Sequence, residues 1–197
     1  MGFKFNRGCW VESHEDGLLS CKAGDGNIEG SARTSPPSTV QRIDLAHSLF
    51  RSFEEALRNH RIVVELLHRI DQDIDRTARA MAELGIDEAC ALCDRTSPCG
   101  SCCSRGLEKK YDSVLLLINL LLGRDLPDTP TTEDSCHFLG PRGCRLRIRH
   151  MLCIDYLCPG LETRLGTAGL IRIQSVAGME IHTAFLLYEA VKKVIRE

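Results

Sequence analysis

The chain has 197 residues, 43% of them hydrophobic and 26% charged, which suits one globular domain with a sizeable core and room for a tail. Its 27 acidic and 25 basic side chains leave a net charge of −2, so composition supplies no general attraction to nucleic acid or to an acidic membrane surface. Cysteine is the outlier: there are eleven, and nine of them fall between Cys90 and Cys158.

The opening stretch, MGFKFNRGCWVESHEDG, has neither an apolar h-region nor a small-residue cleavage site. Asn6 stands where a myristoylation signal needs Ser or Thr. The longest apolar run, Val114 to Leu122, contains Asn119 and falls short of the ~20 residues that span a bilayer. These features point to a cytoplasmic protein with no membrane partner, in a reducing setting where thiolates hold metals rather than form disulfides. Residues 1–37 are glycine-rich and close on Ser35-Pro36-Pro37, the composition of an extension or linker with little regular structure, which Phe3, Phe5 and Trp10 can dock. Cys9 and Cys21 lack a pair motif and read as bystanders. Gly24-Asp25-Gly26 is not a phosphate loop, because no GK[ST] element follows it.

The domain proper runs over 38–197 and is expected to be all-α. Ser38 with Gln41 forms a capping box that opens a helix over about 40–84. Ala46, Leu49, Phe53, Ala56, His60, Val63, Leu67, Ile70, Ile74, Thr77, Met81 and Leu84 recur three and four apart, the seam of a helical hairpin, bundle or coiled coil. Leu45, Leu57, Ile62, Val64 and Leu66 widen that apolar face toward a bundle, and His60 within it reads as a hydrogen-bonded register feature. Gly85 supplies the stop. LEKKYDSVLLLINLLLG, residues 107–123, is apolar on every side from Val114, which makes it a buried central helix over 108–122 ending at Gly123. A loop follows over 125–134, then a turn at Gly140-Pro141 and Gly143, and a short helix within 145–157 that Pro159 and Gly160 end. LIRIQSV, residues 170–176, is ambiguous between strand and helical turn. A last helix over 179–195 carries Ile181, Phe185, Tyr188, Val191 and Ile195 on one face, with Glu180 near its start and Lys192, Lys193 and Arg196 near its end to suit the dipole.

Cys90-x2-Cys93 and Cys99-x2-Cys102 are two short turns of the kind that place two sulfurs around one metal, and Cys136, Cys144, Cys153 and Cys158 follow beyond the central helix. Two cysteine-rich segments flanking a buried helix can close one shared site or two neighbouring ones. Cys102 and Cys103 are adjacent and point apart whatever the backbone does, so they do not serve one metal in the same way. The ligand pool is therefore Cys93, Cys99, Cys102, Cys103, Cys136, Cys144, Cys153 and Cys158, with Cys90 the substitute for Cys93. His137 and His150 each lie close to a cysteine and read as supporting or surface residues rather than ligands.

Cys99-Gly100-Ser101-Cys102-Cys103, followed by Cys136-His137-Phe138-Leu139, Cys144, Arg149 and Cys153, resembles a bacterial cysteine-cluster family of zinc- or iron-chelating domains. That family pairs a CxxCxxCC motif with a later C-[PH]-F-L…C…RP…C segment. The resemblance covers roughly residues 90–158 and implies metal binding through Cys99, Cys102, Cys103, Cys136, Cys144 and Cys153. Two positions depart from it: Thr96 stands where the motif has its first paired cysteine, and His150 replaces the proline of the Arg-Pro pair.

The expected function is a metal-binding protein that holds zinc or an iron–sulfur cluster. All-cysteine ligation suits both. A related lysine methylase family has a similar cluster, which leaves an iron–sulfur enzyme of redox or methyl-transfer type as an alternative. No nucleotide fingerprint, HExxH or G-x-S-x-G supports an enzyme. A third reading makes the protein an interaction module, with a homodimer or a protein partner docked on 46–84 and the metal a staple.

Overall fold

The computed structural model describes residues 36–96, 103, 106–131, 133 and 135–197, without the Arg95 side chain, together with the backbone of 4–6, 9–13 and 19–23. The chain divides into two compact units that part at Pro36 and Pro37. In the first, β1 (Lys4–Asn6), β2 (Cys9–Ser13) and β3 (Leu19–Ala23) form an antiparallel meander in the order β1-β2-β3. The expectation of little regular structure over 1–37 is corrected at these residues, where backbone pairing forms despite the glycine content. Cys9 stands opposite Ala23 and Cys21 opposite Val11, so the register does not set the two cysteines against each other. The docking role of Phe3, Phe5 and Trp10 and the Gly24-Asp25-Gly26 turn lie outside the described residues.

The second unit is mainly α-helical. The capping box forms as the residue types require: Ser38 N donates to Gln41 Oε1 at 2.7 Å and Gln41 N to Ser38 Oγ at 3.2 Å, opening α1 (Thr39–Asn59). The single helix expected over 40–84 is two helices, because the chain breaks at His60 (φ −80°, ψ 111°) and resumes as α2 (Arg61–Glu83). The apolar stripe explains the break. Ala56 is exposed while Leu57 is fully buried, so the seam slips by one residue just before the turn. The two halves then serve different partners, α1 packing along α4 (Ser113–Leu121) and α2 along α6 (Pro159–Arg196), which one straight rod could not do. His60 Nδ1 is buried with no hydrogen-bond partner, so His60 is not the hydrogen-bonded feature expected of it. Leu45, Ile62 and Val64 are 51%, 48% and 44% exposed and do not widen the core face.

Gly85, at φ +62°, ends α2, and α3 (Ile86–Thr96) follows with Asp87 and Glu88 in its first turn. The central helix starts later than expected. Residues 107–110 form a 3-10 turn, Tyr111 is extended, and Asp112 caps α4 by accepting from Leu115 N at 2.9 Å. From Leu116 to Leu121 every residue of α4 is buried. Leu117, Ile118 and Leu121 meet Leu57, Val63, Ile70 and Ile74 on one side and Leu187 and Val191 on the other. Each such side chain contributes about 1.5–3 kcal/mol by leaving water.

The C-terminal third departs most from expectation. The short helix expected within 145–157 is confined to α5 (Met151–Asp155). Pro159 does not end a helix but starts α6, with Cys158 as its N-cap residue, the position where a missing N–H costs nothing. One non-helical residue, Gly166 (φ +59°), kinks α6. Residues 170–176 are therefore helical, and the last helix begins well before 179. Its buried seam is Ile173, Ala177, Glu180, Thr183, Leu187 and Val191, whereas Phe185 is 61% exposed. Glu180 is accordingly a mid-helix core residue rather than a helix-start carboxylate. Among the described residues no helix is long and apolar enough to cross a membrane.

Candidate metal centre

The second cysteine segment folds over the end of the bundle formed by α1 and α4. Cys136 and Phe138 are buried in a cluster with Ile43 and Ala46 of α1, Leu116 and Leu120 of α4, Tyr111, Leu126 and Leu146. Phe138 O accepts from Arg145 N at 2.9 Å, and β4 (Leu139–Gly140) pairs with β5 (Gly143–Cys144), placing Leu139 opposite Cys144. Gly143, at φ +101°, turns this hairpin where a side chain would be strained. The hairpin carries Cys144 back toward Cys136. Cys136 N donates to Cys103 O at 2.8 Å, which ties the first cysteine segment to the second across 33 positions of sequence.

Tyr111 is the hub. It is 2% exposed and stacks edge-on against Phe138 at 5.0 Å and against the His150 ring at 5.8 Å. Its hydroxyl accepts from His150 N at 2.9 Å and lies 3.7 Å from Cys153 Sγ. Burial drives the Tyr111 pKa far up, and the Cys153 and Cys144 thiols add to it. Burial likewise pushes the Cys136 thiol up to about 11, with further pressure from Cys144, Glu108 and Cys153. Cys144 is exposed as a residue, yet enough protein surrounds its sulfur for burial to raise its pKa too, against the pull of the Leu146 N–H and Arg149. Cys144 and Cys153 thus both act on Cys136 and on the Tyr111 ring, with the Cys103 backbone joined to Cys136.

This donor set fits a soft metal in its chemistry, because crowded buried thiols keep their protons unless a cation takes their place. Among the described residues, no three Cys, His, Asp or Glu side chains already converge closely enough to hold a metal ion. Cys99 and Cys102 lie outside the described residues. Cys90 and Cys93 do not form the expected turn: both sit on α3, where Cys93 is exposed and Cys90 packs with Cys158 against Ala80, Ile86, Leu161 and Ile173. Cys103, Cys136, Cys144 and Cys153 therefore belong to one neighbourhood, and Cys90 and Cys158 to another hydrophobic cluster.

Both histidines make contacts within the protein. His137 is 7% exposed, and its Nε2 is 2.7 Å from Pro127 O. His150 caps α5 through Nδ1, which accepts from Leu152 N at 3.2 Å, and burial, aided by Lys110, holds its pKa below the usual value. It occupies the place of the proline in the resembled motif and shapes the same loop by capping.

Sequence reasoning missed two residues that build this centre. One is Tyr111. The other is Asn119, whose Nδ2 donates to Leu115 O at 3.0 Å and Ile148 O at 3.1 Å while Oδ1 accepts from Arg147 N at 2.8 Å and Ile148 N at 3.0 Å. A polar residue inside the Val114–Leu122 apolar run was the available signal. Arg147 is also tethered to α2 by bonds of 2.7 Å to both Asp71 and Asp75. Tyr111→Phe should cost about 1 kcal/mol, because it removes the acceptor of His150 N but keeps the ring. Urea unfolding measures it, and a variant as stable as the parent would show that His150 N finds another partner.

No family model, curated protein or solved structure matches this chain.

Proposed function

We propose that this is a cytoplasmic metal-binding protein whose thiolates hold zinc or an iron–sulfur cluster. Cys103, Cys136, Cys144 and Cys153 are the principal ligands, and Cys99 and Cys102 from the same first segment complete the pool. The observation that carries the reading is the Cys136 N to Cys103 O bond beside Tyr111, which draws two distant cysteine segments to one point. A bound metal would replace the thiol protons there and cross-link the first cysteine segment to the second. The protein's own residues supply the rest: Tyr111 sets the floor of the site, Asn119 fixes the loop ahead of Cys153, and Arg149 offsets thiolate charge at Cys144.

Anaerobic purification with elemental analysis and a visible spectrum tests this. At least one equivalent of zinc or iron per chain is expected, and colour separates an iron–thiolate cluster from d10 zinc. A reduced, anaerobic preparation that carries no metal, acquires none on incubation, and still melts cooperatively would overturn the reading.

A further inference from the structure

Glu180 lies in the seam where α6 packs along α2, and its whole side chain is shielded from solvent at 0% exposure. Neither carboxylate oxygen has a hydrogen-bond partner. Its surroundings explain why none is left for it. From α2, the Thr77 hydroxyl donates to Asp73 O at 3.2 Å. Asp73, itself 1% exposed, has its own partners in Arg76 at 2.7 Å, Arg69 at 3.8 Å and Thr183 Oγ1 at 2.7 Å. From the loop ahead of α5, Arg147 is held by Asp71 and Asp75, and Arg149 donates to Met81 Sδ at 3.5 Å instead of to a carboxylate. The other helix in the central core, α4, brings no ionisable residue.

A buried carboxylate without donors is far more costly charged than neutral. We infer that Glu180 is a proton-dependent latch: as a neutral acid it seats α6 on α2, and its ionisation loosens that seam. Burial pushes its pKa up; the Thr77 hydroxyl, near enough to attract the carboxylate but turned to Asp73 O, pulls the other way, as do Arg149 and Arg147, and the Asp73 charge adds a little to the rise. The latch acts on the helix pair rather than on the cysteines, and its test reads folding rather than metal content.

The sign of the pH effect follows. The folded-state pKa lies above the ordinary glutamate value of 4.5. Stability from the neutral acid is fully present below that value and is lost as pH rises through the folded-state pKa. Glu180→Gln keeps the shape without a titratable proton. Urea unfolding of the full chain from pH 5 to 8 should therefore show the variant gaining on the parent, by up to about tenfold in the folding equilibrium constant per pH unit, until the folded-state pKa is passed. A difference that stays constant across that range, or one in which the parent gains as pH rises, would mean that Glu180 is ionised and paired with Arg149, and would overturn the latch. If Glu180→Gln does not fold, infrared spectroscopy of the parent decides. A protonated-carboxyl band that is absent from Glu180→Asp and titrates above the ordinary glutamate range, disappearing together with faster amide exchange in α6, is the expected result. A spectrum in which every carboxyl band titrates in the ordinary range would overturn it equally.

Discussion

Asn119→Leu should lower unfolding stability by about 4 kcal/mol, even though leucine fits the run of leucines around it and is the better helix former. The side chain is fully buried and bonds to three backbone groups outside its own helix: Arg147 N, Ile148 N and Ile148 O. Leucine would leave the two Ile148 groups unpaired in the buried interior and Arg147 N unpaired at its part-buried edge, at about 1–3 kcal/mol each, partly offset by added apolar contact. Ile148 is itself part of the central core, so slack at this point is transmitted into the bundle. Asn119→Asp keeps the acceptor for the two N–H groups but loses the donor to Ile148 O and buries a charge, so it should not rescue the loss. Equilibrium urea unfolding at constant m-value is the check. A loss below about 1 kcal/mol would show that the 147–148 loop reorganises freely.

Removal of metal should have the other large effect, and a local one. Binding free energy at a thiolate site is folding free energy, on the order of 10 kcal/mol for structural zinc. Here it would fall on the segment from Ser135 to Cys158, because the central core draws only Ile148 from that segment. Chelation should thus lower the melting temperature and open Cys136, now 7% exposed, to thiol-labelling reagents, while most of the far-UV helical signal persists. Cys144→Ser should lose metal and sensitivity to chelator together. Cys93→Ser tests whether α3 takes part, since Cys93 lies exposed on that helix. Metal loss in the Cys93 variant would bring α3 into the site. Global unfolding on chelation would mean that the bundle cannot stand on its own core.

Some of this protein is written locally and could be read without any tertiary information. The Ser38–Gln41 box, the stop at Gly85, the apolar run of α4 and its end at Gly123 each depend on residues within a few positions of one another. The helical class follows from such signals. The concentration of cysteine between Cys90 and Cys158 was legible in the same way.

Other features were decided only by which surfaces met. The break at His60 exists because α1 and α2 are claimed by different helices, and a one-residue slip in an apolar stripe does not announce that by itself. Pro159 and Gly166 are breakers by local chemistry, yet α6 runs from one and kinks at the other because Leu161, Ile173 and Ala177 bury a continuous face. Glu180 has the local character of a solvent-facing helix residue, and packing on α2 enclosed it. Spacing treats Cys93 and Cys136 alike, whereas the fold leaves Cys93 exposed on α3 and buries Cys136 beside Tyr111, because burial and long-range hydrogen bonds, unlike caps and turns, depend on residues far apart in the chain.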